Sequence, residues 1–256
     1  MTASETTTLE AMLEQESVYY RNVTPPPPAS SCCSSSTMKQ AVATLETIYE
    51  LLSLQDRETL VIATYYLHQY YRNKKTASSA YTVSHIALVC FYMAVKIHQT
   101  TALPMKSLSN LHDRFFTHSS PSSWESVEMD VCMTLQWRLH PPLATAFLTT
   151  APRRHRKRAL TLLDQAFRSQ PCAYVGYRPS HLAAAALRSP TAPSEAVAFL
   201  QSSQTQTVMV KRKRCVTPPM LSHHPAKKQR VVGPASLRWT GSPRSAALLV
   251  EEEESF

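Results

Sequence analysis

The sequence predicts an all-α protein, and three observations carry that prediction. First, the 256 residues include only three glycines, Gly176, Gly233 and Gly241, so the first 175 contain none. Glycine-rich phosphate cradles and dinucleotide fingerprints need backbone positions without a Cβ and are excluded from that stretch. Second, apolar residues recur at helical spacing in several windows, and runs of β-branched residues are scarce. Third, Ile86 to Val95 is a ten-residue apolar run. It is shorter than the roughly 20 residues a bilayer span needs, and it suits a helix surrounded by other helices.

In chain order, residues 1–37 read as an N-terminal tail with one short helix, Leu9 to Tyr20, ahead of Pro25 to Pro28 and a serine-rich segment. A first body helix is expected from Met38 to Leu52 with Thr37 as its N-cap. Met38, Val42, Leu45, Ile48 (or Tyr49) and Leu52 fall on its inner stripe. A second runs from Arg57 to Arg72, with Leu60, Ala63, Leu67 and Tyr71 inward. The apolar third spans Ala80 to His98, and a short fourth, Met105 to Leu111, follows Pro104. The fifth starts at Trp124, turns Val127, Val131 and Leu135 to the core, and is stopped by Pro141 and Pro142. Residues 38–142 are thus one five-helix domain.

Residues 143–202 read as a second, poorer helical unit. Its segments are Leu143 to Thr149, a basic amphipathic helix Arg153 to Arg168 with Leu160, Leu163 and Phe167 inward, Ser180 to Leu187, and Ser194 to Leu200. Beyond Gln201, basic clusters, prolines and the Glu251–Glu254 run replace periodic apolar residues, so residues 203–256 are expected to be a disordered basic tail.

The net charge of +9 comes from 27 basic and 18 acidic residues. Nine of the cations lie in residues 207–244, which hold no acid, and without them the chain is balanced at 18 against 18. The basic excess therefore belongs to the tail and is no argument that the folded part binds nucleic acid. The N-terminus is polar and acidic, unlike a secretory signal. None of the six cysteines forms a C-x-x-C pair, so they are read as reduced and mostly core-filling. The ten histidines show no ligand spacing. No metal, cofactor or enzyme signal stands out.

Several segments in order resemble the cyclin family. Tyr65-Tyr66-Leu67-His68-Gln69-Tyr70-Tyr71 matches the apolar positions of the family's N-Y-[LI]-D-R-[FY]-L, with His68 and Gln69 in place of Asp and Arg. Cys90, Tyr92, Met93, Ala94 and Lys96 match C-x-[FY]-[IL]-A-x-K. Glu128 precedes Leu135-Gln136-Trp137-Arg138-Leu139, an L-x-[FW]-x-L motif whose tryptophan leans to the D-type style. Pro179-Ser180 and Ala183 to Ala186 look like P-S-x-[IL]-A-x-A-A.

The resemblance implies a five-helix N-terminal cyclin box followed by a degenerate C-terminal cyclin-like unit. It also implies that Lys96 and Glu128 pair to grip the backbone of a cyclin-dependent protein kinase, which the protein activates in cell-cycle control. Met38, Val42 and Leu45 would be the family's substrate-docking patch, although core packing is the stronger reading because Leu45 replaces a flat indole. Lys211, Arg212, Lys213 and Arg214, then Lys227, Lys228 and Arg230, resemble a bipartite nuclear-import signal read by an import receptor. Such a signal implies a nuclear protein with a cytoplasmic pool. Thr217 and Ser242, each before a proline, resemble proline-directed phosphoacceptors. The alternatives are a two-repeat transcription factor of the same fold, favoured only by Arg153–Arg158, and a scaffold that has lost the kinase grip. Neither membrane association nor direct nucleic-acid binding is expected.

Overall fold

In a computed structural model of the chain, residues 3–21, 36–54, 56–74, 81–100, 103–116, 121–149 and 151–214 are described, with side chains from residue 8 to 204. Among them are ten α-helices, one 3-10 turn and no strand. The helices are α1 (Ala3–Tyr19), α2 (Ser36–Leu51), α3 (Glu58–Asn73), α4 (Val83–His98) and α5 (Lys106–Phe115). They continue with α6 (Trp124–Thr134), α7 (Arg153–Ser169), α8 (Pro171–Tyr174), α9 (Pro179–Leu187) and α10 (Ser194–Arg214). The protein is all-α, as the sequence predicts.

The body is built around α4. Every residue from Ser84 to Val95 is buried, and α2, α3, α5 and α6 all pack against it. A helix apolar on every side has no face to give to water, so it sits at the centre. Its start lies at Val83, three residues later than expected. Thr82 caps it, accepting from the His85 amide, while the His85 ring accepts from the Thr82 amide. A histidine thus takes the part usually played by Glu or Gln in a reciprocal cap.

The neighbouring helices turn apolar stripes inward. In α2 these are Met38, Ala41, Val42, Leu45, Ile48 and Tyr49; Thr37 lies inside this helix and is not its cap, because the helix begins at Ser36. In α3, Leu60, Ala63 and Leu67 are joined by Tyr66 and Tyr70, both fully buried, while Tyr71 is only half-buried. Val127, Val131 and Leu135 of the α6 stretch are buried as expected.

α6 does not run on to the prolines. It stops at Thr134, where Gln136 (φ 55°) and Trp137 (φ 58°) take left-handed backbone. The amides of Leu135, Gln136 and Trp137 then bond back to the carbonyls of Val131, Met133 and Cys132. Left-handed backbone costs a residue with a side chain about 1–2 kcal/mol. Here it closes the helix end without a glycine.

The later helices pack among themselves, α7 against α9 and α10, and α9 against α10. The expected helix at Leu143–Thr149 is only a 3-10 turn, Ala146–Leu148, a four-residue α8 precedes α9, and α8 also touches α3. Leu160, expected inside, is 39% exposed; Ala159 and Ala166 hold the inner positions beside Leu163 and Phe167. α10 extends well past Leu200. No Pro or Gly interrupts Gln201 to Arg214, and the Ser202 and Ser203 hydroxyls donate to the Phe199 carbonyl.

α1 is packed on the body. Tyr20, just after it, is buried against Tyr65 with ring centroids 5.3 Å apart. Gln15 Nε2 donates to the His140 carbonyl (2.9 Å), and Arg138 donates to the Val18 carbonyl (3.0 Å). Glu16, 3% exposed, accepts from both the amide and the hydroxyl of Ser180 at the start of α9, each at 2.6 Å. A buried carboxylate is stable here because both of its oxygens are satisfied.

Candidate functional site

Lys96 sits in the last turn of α4 and Glu128 near the middle of α6. The packing of these two helices brings the ammonium within 3.1 Å of Glu128 Oε1. The two residues are 32 positions apart, so only the tertiary fold unites them. The Lys96 side chain is 55% exposed and that of Glu128 20%. The ammonium also lies over the Tyr92 ring, 5.5 Å from its centroid. Cation–π attraction and the carboxylate together hold the amine at the rim of the body. The hydrogen bond to Glu128 lifts the Lys96 pKa above its ordinary value, so the group stays charged.

An ammonium has three donors. One serves Glu128, and the half-exposed side chain leaves the others free to meet acceptors on another molecule. A cation at a helix C-terminus is also favoured by the helix dipole. The pair is thus a fixed, charged donor at a surface, suited to binding carbonyl oxygens. Large apolar side chains are exposed along the same stretch as Glu128. Met129 and Met133 of α6 are 54% and 61% exposed, on the side of the helix away from Val127 and Val131, and Trp137 is 59% exposed. Sequence reading missed Met129 and Met133. The signal was available, since they are large apolar side chains on the face that helical spacing assigns to water.

A second charged cluster fixes α6. Asp130 Oδ2 accepts from the Tyr70 hydroxyl at 2.5 Å and from Lys74 Nζ at 2.8 Å. Burial pushes the Asp130 carboxyl up, but the bonds from Lys74 and Tyr70 outweigh it, and its pKa falls below the ordinary value. This cluster holds α6 to the end of α3, and with it the placement of Glu128.

The remaining predicted residues fare differently. Met38, Val42 and Leu45 are 4%, 4% and 0% exposed, so the proposed docking patch is core and offers no open surface. Its stripe faces α4, whose apolar surface needs covering. Lys211 to Arg214 form the end of α10, with side chains outside the described set, and Thr217, Lys227, Lys228, Arg230 and Ser242 lie outside the described residues altogether. Among the described residues no group of three His, Cys, Asp or Glu could hold a metal ion, and no helix is long and apolar enough to cross a membrane.

A family model described as "Cyclin, N-terminal domain" matches residues 9–140, just over half of the chain. The match contains α2 to α6, Lys96 and Glu128, and most of α1. No curated protein matches the chain.

Proposed function

From the premise that this chain belongs to the cyclin family, we propose that it is a regulatory subunit that binds and activates a cyclin-dependent protein kinase in cell-cycle control. The observation that carries this reading is the 3.1 Å Lys96–Glu128 pair at the rim of the five-helix body. In this mechanism the spare donors of Lys96 bind main-chain carbonyls of the kinase beside its regulatory helix. The exposed Met129 and Met133 then pack on that helix. Its glutamate is pressed towards the catalytic lysine, an ion pair that phosphoryl transfer requires. The protein performs no chemistry of its own. Its binding energy shifts the kinase towards the competent population.

The direct test adds the purified full chain to purified cyclin-dependent kinases and follows phosphorylation of a Ser-Pro peptide. Stimulation of one kinase supports the reading. Binding without stimulation would leave a scaffold, and neither binding nor stimulation with any kinase would overturn it.

Nuclear import through Lys211–Arg214 and Lys227–Arg230 is part of the same proposal. It rests on two basic clusters separated by twelve residues, a spacing that lets one chain occupy two acidic pockets together. Deleting residues 211–230 should leave a fluorescently tagged protein cytoplasmic, and unchanged nuclear accumulation would remove this part.

A further inference from the structure

The first two turns of α7 read Arg153-Arg154-His155-Arg156-Lys157-Arg158, and all six residues are exposed. Among the described residues, none of the five cations makes an ion pair with a carboxylate. The one acid of α7, Asp164, is held by Arg57 at 3.0 Å and Arg168 at 2.9 Å. Outside this cluster, residues 1–206 carry 13 basic and 14 acidic residues, a balance of −1. The cluster is therefore the whole positive excess of that part of the chain.

Its position is unfavourable for folding. The N-terminal end of a helix carries the positive pole of the dipole, so cations there repel it. Adjacent cations also repel one another, and Arg154 and Arg158 are like charges at i and i+4. A stretch that only had to be a solvated helix start would carry acids or small polar residues. Five cations without acids are explained when a negatively charged partner neutralises them.

Geometry selects among polyanions. The side chains radiate around six helical residues, about 9 Å of axis, so a rigid duplex lying along one side meets only part of the set. A flexible strand can fold around the helix end and meet all of it. Single-stranded nucleic acid fits poorly, because no Phe, Tyr or Trp lies between residues 149 and 166 to stack bases. Four of the five cations are arginines, whose planar forks bind carboxylates in pairs. We propose that the exposed start of α7 is a docking site for a flexible acidic polypeptide segment, rich in Asp or Glu, of a partner protein.

The test measures anisotropy of a fluorescein-labelled hexaglutamate peptide titrated with the full chain at low salt. Three proteins are compared: wild type, R153Q/R154Q/R156Q/K157Q/R158Q, and a variant with Lys211, Arg212, Lys213, Arg214, Lys227, Lys228 and Arg230 all changed to Gln. The α7 variant should bind at least about tenfold more weakly, and the tail variant close to wild type. The α7 variant should also melt a few degrees higher, because the dipole and like-charge repulsions are removed. Unchanged peptide binding by the α7 variant, loss of binding in the tail variant alone, or an unchanged melting temperature would overturn the proposal. So would a labelled twelve-nucleotide oligothymidine that binds more tightly than the peptide and is lost with the α7 substitutions.

Discussion

The two halves of the helical body solve the same packing problem with different materials. Around α4, a continuous run from Ser84 to Val95 is buried, including Ile86, Leu88, Phe91 and Met93. Around α9, the buried set is Pro179, Leu182, Ala183, Ala185 and Ala186. Alanines let helices approach closely, but each removes little apolar area from water. The later helices join the same apolar core through residues such as Phe167, Tyr174 and Leu182, and polar contacts add to that packing. Arg57, just before α3, binds Glu46 of α2 and Asp164 of α7. Glu16 of α1 binds Ser180 of α9. The first half supplies most of the large buried side chains and the candidate site, while the second adds smaller ones to the same core.

Substitutions can break that contrast or sharpen it. The largest effect is expected at Phe91→Ala, a fully buried ring at the centre of α4, which should cost about 3–5 kcal/mol in urea unfolding. A loss below about 1 kcal/mol would mean that α4 is not the core. Glu16→Ala comes next. It leaves the Ser180 amide and hydroxyl without their acceptor, at a cost of about 1–3 kcal/mol. Faster proteolysis within α1 should accompany it. If α1 stays protected, the brace between the halves does not depend on this carboxylate.

A smaller effect is expected from pH. The folded-state pKa of Asp130 is lowered, so its contribution is present above the unfolded value of about 3.9 and is lost as pH falls through the folded one. Urea midpoints from pH 6 to pH 2 should therefore fall less steeply for Asp130→Asn than for wild type. Lys96 has the opposite sign. Its raised pKa means that its contribution persists up to about pH 10 and is lost as pH rises further.

Much of the first half was legible because it is periodic. The bounds of α3 and the starts of α6 and α7 fall within a residue or so of what spacing and flanking residues indicate. Lys96 and Glu128 could be paired in advance only because both lie in motifs of a recognisable order. What stayed hidden is long-range or depends on residues with another usual role. The Glu16–Ser180 bonds span 164 positions, and nothing local marks either residue. The left-handed Gln136 and Trp137 close α6 where glycine would have been the signal. His85 gave no sign of acting in a cap. Leu160 shows the limit of a stripe argument, since alanine at 159 and 166 takes the inner line and leaves the leucine outside.

The smallest effect on stability should come from Lys96→Ala, and it should be the largest on function. An exposed ion pair contributes about 0–1 kcal/mol, so the melting temperature should move by no more than a few degrees. The decisive measurement compares kinase binding by wild type, Lys96→Ala, Glu128→Ala and the double variant, by calorimetry with the kinase that the full chain stimulates. The account predicts that each single change weakens binding at least about tenfold and that the double change adds little, because the two residues act as one grip. Binding as tight as wild type in all three variants, with the fold intact, would contradict it.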